Sequence, residues 1–150
     1  MKKNYKESRR YKIECVPVGN PIEKCQIKRS DDIYNYAMKL YGSDIELIES
    51  FIAIYCDNNL NVIGWAKIAT GGINSTLVDQ RVIFKYAVDL MCCHIILIHN
   101  HPSGNLEPSK IDKDLTTRMV NGGNILGFRI AEHIIVTKEN YYSFHDKGLL

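Results

Sequence analysis

The run His94-Ile-Ile-Leu-Ile98, followed directly by His99-Asn-His-Pro-Ser-Gly104, constrains this chain more than any other segment. Its four unbroken apolar residues, Ile95 to Ile98, suit a short strand buried on both faces, which requires layers above and below a sheet. The Pro and Gly that follow end the strand abruptly. An amphipathic segment precedes it: from Val78 to Met91 the apolar positions Val82, Ile83, Tyr86, Ala87, Leu90 and Met91 recur every three or four residues, so a core-facing helix is expected. Another helix should begin at Ser109, after Pro108, and end before Gly122-Gly123.

The remaining chain alternates in the same way. Ser30 or Asp31 can cap a helix carrying Ile33, Tyr34, Ala37, Leu40 and Tyr41, with Gly42 as its stop. Phe51 to Cys56 is β-branched and aromatic, ends at Asp57-Asn58-Asn59, and should form a hairpin with a strand from about Val62 to Ala69, closed by Gly71-Gly72. Strands are also expected from about Arg129 to Thr137 and near Tyr141 to Phe144. Hairpins at both ends predict a mixed sheet inside an α/β fold. Residues 1 to about 28 read as an arm or edge element, with a short strand possible around Ile13 to Val18, and residues 29–150 as one domain.

Composition narrows the function classes. A formal charge of +2 argues against a nucleic-acid binder, and the basic run Lys2, Lys3, Lys6, Arg9, Arg10, Lys12 reads as a solvated tail. The nine tyrosines are scattered, without the basic stripe a stacking surface would need. No apolar run is long enough to span a bilayer, so a soluble, cytoplasmic protein is expected. Five cysteines (Cys15, Cys25, Cys56, Cys92, Cys93) in no C-x-x-C spacing are read as small buried apolar residues. Trp65 should cover the sheet.

Chemistry gathers where the apolar strand breaks. His99 and His101 lie two apart in an extended segment, which sends both imidazoles to one side and Asn100 to the other. A catalytic zinc takes three protein ligands and leaves a position for water. Asp112, in the first turn of the following helix, is well placed as the third. Ser109 and Asp112 also have an ordinary reading, because S-x-x-D before an amphipathic helix is a capping box; the two roles can coexist.

At H-x-H, seven residues, Ser, two residues, Asp, the sequence resembles the JAMM motif of the JAB/MPN metalloproteases, and HNHPSGNLEPSKID is similar to its RadC-like branch. The likeness runs from about Ser30 to Leu150 through ESFIAIYCDNNLNVIG, GGINSTLVDQRVIFKYA and AEHIIV. It implies a three-layer JAB/MPN domain of cytidine-deaminase-like architecture, with a mixed, curved sheet flanked by helices. It also implies a Zn2+ site with His99, His101 and Asp112 as ligands, Ser109 as an oxyanion-stabilising or water-positioning group, and a glutamate from an earlier strand. Glu49 matches that glutamate, with Glu46 as the fallback.

Hydrolysis of a peptide or isopeptide bond in a peptide or protein substrate would follow; the alternative is a non-catalytic metal-binding or partner-binding module associated with DNA repair or mobile elements. Relatives called RadC carry an additional helix-hairpin-helix region for which these 150 residues have no room, so a nucleic-acid partner rests on family association alone. Where that family usually has aspartate before the histidine of AEHIIV, this chain has Glu132, and His133 is read as a core or rim histidine. His94 and His145 are read as structural.

Overall fold

The computed structural model describes residues 10, 12, 14–71 and 78–150. Helix α1 (Ser30–Tyr41) leads through a 3-10 turn (Gly42–Glu46) into strand β1 (Ser50–Cys56), which hairpins into β2 (Val62–Thr70). Helix α2 (Gln80–Asp89) then precedes β3 (His94–Asn100), α3 (Lys110–Leu126), β4 (Arg129–Val136) and β5 (Tyr141–Ser143). The sheet order is β2-β1-β3-β4-β5, parallel only between β3 and β4. The expected mixed α/β sheet is therefore present, with α3 as the crossover that a parallel pair requires.

Period-two alternation sorts the strand residues into two cores. Ile52, Ile54, Cys56, Ile96, Ile98, Ile134 and Val136 pack with Ile33, Tyr36, Ala37 and Tyr41 of α1. Phe51, Ala53, Tyr55, Ile95, Leu97 and Ile130 pack with Ile83 and Ala87 of α2 and Leu115 and Met119 of α3. Strands β1 and β3 are buried on both faces as a result, which explains why neither alternates in polarity.

Several expectations change. Strand β3 continues to Asn100, so His99 lies within the sheet rather than in the loop after it. Helix α3 does not stop before Gly122-Gly123 but runs to Leu126 and ends at Gly127, whose φ of 82° is left-handed. Both internal glycines serve close packing instead: a Cβ on Gly122 would lie 2.9 Å from Phe84 Cε2 in α2, and one on Gly123 would lie 2.8 Å from the Phe128 carbonyl oxygen. Neither Ser30 nor Asp31 caps α1. The Asp32 carboxylate reaches back to the Lys28 and Arg29 amides, while Ser30 and Asp31 bond to Glu132 and Tyr141.

Trp65 sits on the edge strand β2, in register with Ile54, and is 39% exposed. Cys56 and Cys92 are buried as expected, but Cys93 is exposed and Cys15 and Cys25 are half-buried. Residues 14–18 form no strand; Ile13, Gly72, Lys2, Lys3, Lys6 and Arg9 lie outside the described residues. Among the described residues no helix is long and apolar enough to cross a membrane.

Candidate metal centre

Alternation along β3 positions the site. Ile95, Leu97 and His99 face the α2/α3 layer, so the His99 ring meets the first turn of α3, where Asp112 stands. The chain leaves the sheet at His101, whose amide still donates to the Val136 carbonyl at 3.1 Å. Nitrogen Nε2 of His99 lies 3.1 Å from Nε2 of His101 and 3.2 Å from Asp112 Oδ1, and Asp112 Oδ2 is 3.9 Å from His101 Nε2. The two histidines and Asp112 each offer one atom to a group lying within 4.8 Å of one another.

These spacings fit a metal. With zinc–nitrogen and zinc–oxygen bonds near 2.0–2.2 Å, tetrahedral ligand atoms stand about 3.3 Å apart. The donor chemistry fits too. His101 Nδ1 sits 2.6 Å from the Asn105 carbonyl, which can only accept, so Nδ1 carries the proton and the neutral ring presents Nε2 as a lone pair. Burial alone would raise the Asp112 carboxyl, but the adjacent His99 ring, joined by the Ser109 hydroxyl and amide that donate to Oδ2, holds it well below the usual carboxylate range. A carboxylate and an imidazole lone pair thus converge on a partly buried point, where a cation relieves their repulsion.

Ser109 holds the second carboxylate oxygen. It is the N-cap of α3, accepting from the Asp112 amide at 3.1 Å, while its own amide and hydroxyl each donate to Asp112 Oδ2 at 2.7 Å. The capping box is therefore present and leaves Oδ1 directed at the histidines.

Glu49, half-buried just before β1, lines a cleft of about 650 Å³ together with His101, Ser109, Glu107, Leu47 and Ile48. Glu46 is elsewhere: its exposed carboxylate pairs with Lys138 at 3.0 Å, a solvent-screened surface contact. The segment bearing Glu49 is fastened by Asn100. Pointing away from the histidines as alternation requires, the buried Asn100 amide accepts from Ser50 N at 2.8 Å and donates to Ile45 O at 2.8 Å and Ile48 O at 2.9 Å. Tyr41 adds a bond to Ser50 O at 2.9 Å. Nothing in the spacing of H-N-H announces this clamp.

His133 is a core histidine, fully buried, as read from sequence, yet it also touches the site. Its Nε2 lies 2.9 Å from His99 Nδ1 and its Nδ1 2.6 Å from Thr116 Oγ1. Glu132, which stands where the resembling family usually has aspartate, faces the opposite layer. There its two oxygens accept from His133 N, His145 N, Ser143 Oγ and Ser30 Oγ. Glu132, His145 and Asp146 also cluster closely, but the carboxylate at the centre of that group is already fully engaged. His145 is exposed beside Asp146, and the buried Nδ1 of His94 has no hydrogen-bond partner among the described residues.

A layered α/β domain with two histidines and a carboxylate gathered at the end of its central strand is a JAB/MPN-type domain. The RadC-like JAB domain family matches residues 27–149, and the chain belongs to that family. It is 42% identical over 101 residues to a UPF0758 protein of Flavobacterium johnsoniae, covering 67% of this chain and 44% of that one. It is also 34% identical over 135 residues to a UPF0758 protein of Syntrophomonas wolfei (89% and 57%), and 33% over 125 residues to one of Thermotoga maritima (83% and 55%). The chain spans about half the length of these curated relatives.

Proposed function

We propose that this domain is a zinc-dependent hydrolase that cleaves a peptide or isopeptide bond, with His99, His101 and Asp112 as the metal ligands. The observation that carries the reading is the convergence of three donors beside a cleft that also contains Glu49: His99 Nε2 lies 3.1 Å from His101 Nε2 and 3.2 Å from Asp112 Oδ1, and His101 Nε2 lies 3.9 Å from Asp112 Oδ2. Zinc held there would polarise a substrate carbonyl and bring the pKa of a water to about 7.

The chain's own groups do the rest. Glu49 takes the proton of the attacking water and passes it to the departing amine nitrogen, general acid-base work that contributes roughly 100- to 10,000-fold. Ser109, at the cleft wall, turns its hydroxyl from Asp112 towards the developing oxyanion. Leu47 and Ile48, 71% and 47% exposed on the same wall, give the substrate an apolar surface. Five free thiols fit a protein working in the reducing cytoplasm.

The test uses zinc-loaded wild type and Glu49→Gln against a panel of fluorogenic peptides and lysine-linked isopeptides. Glu49→Gln should retain its zinc and lose at least 100-fold in turnover, since an amide cannot accept the water proton. Unchanged turnover in that variant overturns the assignment of Glu49 as base.

A further inference from the structure

Beyond the three ligands, one buried hydrogen-bonded chain leads away from the site and is used by no step of the proposed reaction. It runs from His99 through His133 to Thr116, and every member is at least 97% buried. We propose that Thr116 and His133 are positioning residues that fix the tautomer of His99, so that its Nε2 faces the site as a lone pair. The inference rests on the metal reading above.

The direction of the chain follows from its far end. Thr116 has one hydroxyl proton, and Oγ1 donates it to the Asp112 carbonyl one helical turn earlier, at 2.7 Å. Its lone pairs then face His133 Nδ1 at 2.6 Å, which must donate. His133 is fully buried, enclosed by Phe51 and by Phe144, whose ring stacks on it at 4.5 Å, and a ring shut off from water in this way is held in its neutral form. A neutral ring that donates from Nδ1 accepts at Nε2. That nitrogen receives Nδ1–H of His99 at 2.9 Å, and His99 Nε2 is left bare beside His101 and Asp112.

Reversing every bond would put a proton on His99 Nε2, where it would donate to Asp112 Oδ1 and occupy the position of the cation. The chain therefore selects between a ring ready to ligate and one blocked by its own proton. Partners that orient ligating histidines in this way are worth about 10- to 100-fold in metal affinity. A single helix performs two tasks: Asp112 supplies an oxygen, and Thr116, one turn on, sets a nitrogen 3.2 Å from that oxygen.

The test compares Thr116→Ser, which keeps the hydroxyl, with the isosteric Thr116→Val, which removes it. Zinc affinity is measured by chelator competition, with the fold of each metal-free protein checked by circular dichroism. Thr116→Ser should bind within about threefold of wild type and Thr116→Val about tenfold or more weakly. On metal-free wild type, nitrogen-15 NMR of the histidine rings should show His99 protonated at Nδ1, a readout that needs no variant to fold. Equal zinc affinity in the two variants, or a His99 proton on Nε2 in the wild type, would overturn the proposal. A wild type that takes up no zinc would instead sink the metal reading, while the NMR result still decides the tautomer.

Discussion

Replacing Asn100 with Ala removes three bonds at once and leaves the segment before β1 without its fastening. The Ser50 amide is buried and would lose its acceptor; the Ile45 carbonyl would lose a buried donor; the Ile48 carbonyl, nearer the surface, can turn to water. A buried polar group left unpaired costs about 1–3 kcal/mol, so two such groups amount to about 2–6 kcal/mol. For a domain of this size that is about 10 °C in melting temperature. Asn100→Asp should be no better, because its second oxygen would face two carbonyls as an uncompensated buried charge. Urea unfolding followed by circular dichroism gives the stability, and hydrogen exchange at Ser50 reports the local release. Zinc uptake should survive, since the proposed ligands do not use the clamp, while turnover dependent on Glu49 should fall. A stability loss below about 1 kcal/mol with unaltered exchange at Ser50 would refute the reasoning.

The two glycines of α3 should respond differently to alanine. Gly123→Ala would push a methyl against the Phe128 carbonyl and destabilise by about 1–3 kcal/mol despite better helix propensity; Gly122→Ala meets only the far edge of the Phe84 ring, which can give way, and should fall within about 1 kcal/mol of wild type by urea unfolding. If both variants melt alike, the packing account of these positions is wrong. Burial above all lowers the pKa of His133 well below the ordinary imidazole value. The unfolded chain therefore binds a proton that the folded one refuses, and metal-free protein should lose stability as pH falls below about 6.5, by up to about 1.4 kcal/mol per pH unit. His133→Gln should show a shallower slope between pH 6.5 and 5 in the same assay; coincident slopes would contradict it.

Legibility in the sequence followed range. The H-x-H pair, the capping box and the doubly buried strand are local patterns, and period-two alternation alone sent His99 and Asn100 to opposite layers. What Asn100 holds could not be read, because Ile45, Ile48 and Ser50 lie about 50 residues away. Thr116 and His133 are hidden for the same reason: they meet only because α3 packs across the parallel pair β3 and β4. Gly122-Gly123 misled because glycine marks both helix ends and close helix contacts, and only the positions of Phe84 and Phe128 distinguish the two. Ser30 and Asp31 failed as caps because each had a better partner from β4 and β5, Glu132 and Tyr141.

The most direct measurement of the central claim is metal content by elemental mass spectrometry after stripping and reloading with zinc, on wild type, His99→Ala and Asp112→Ala. One zinc per wild-type chain, lost from both variants while circular dichroism shows them folded, is the expected result. Zinc retained at wild-type stoichiometry in either variant, or none bound by the wild type, would contradict the account.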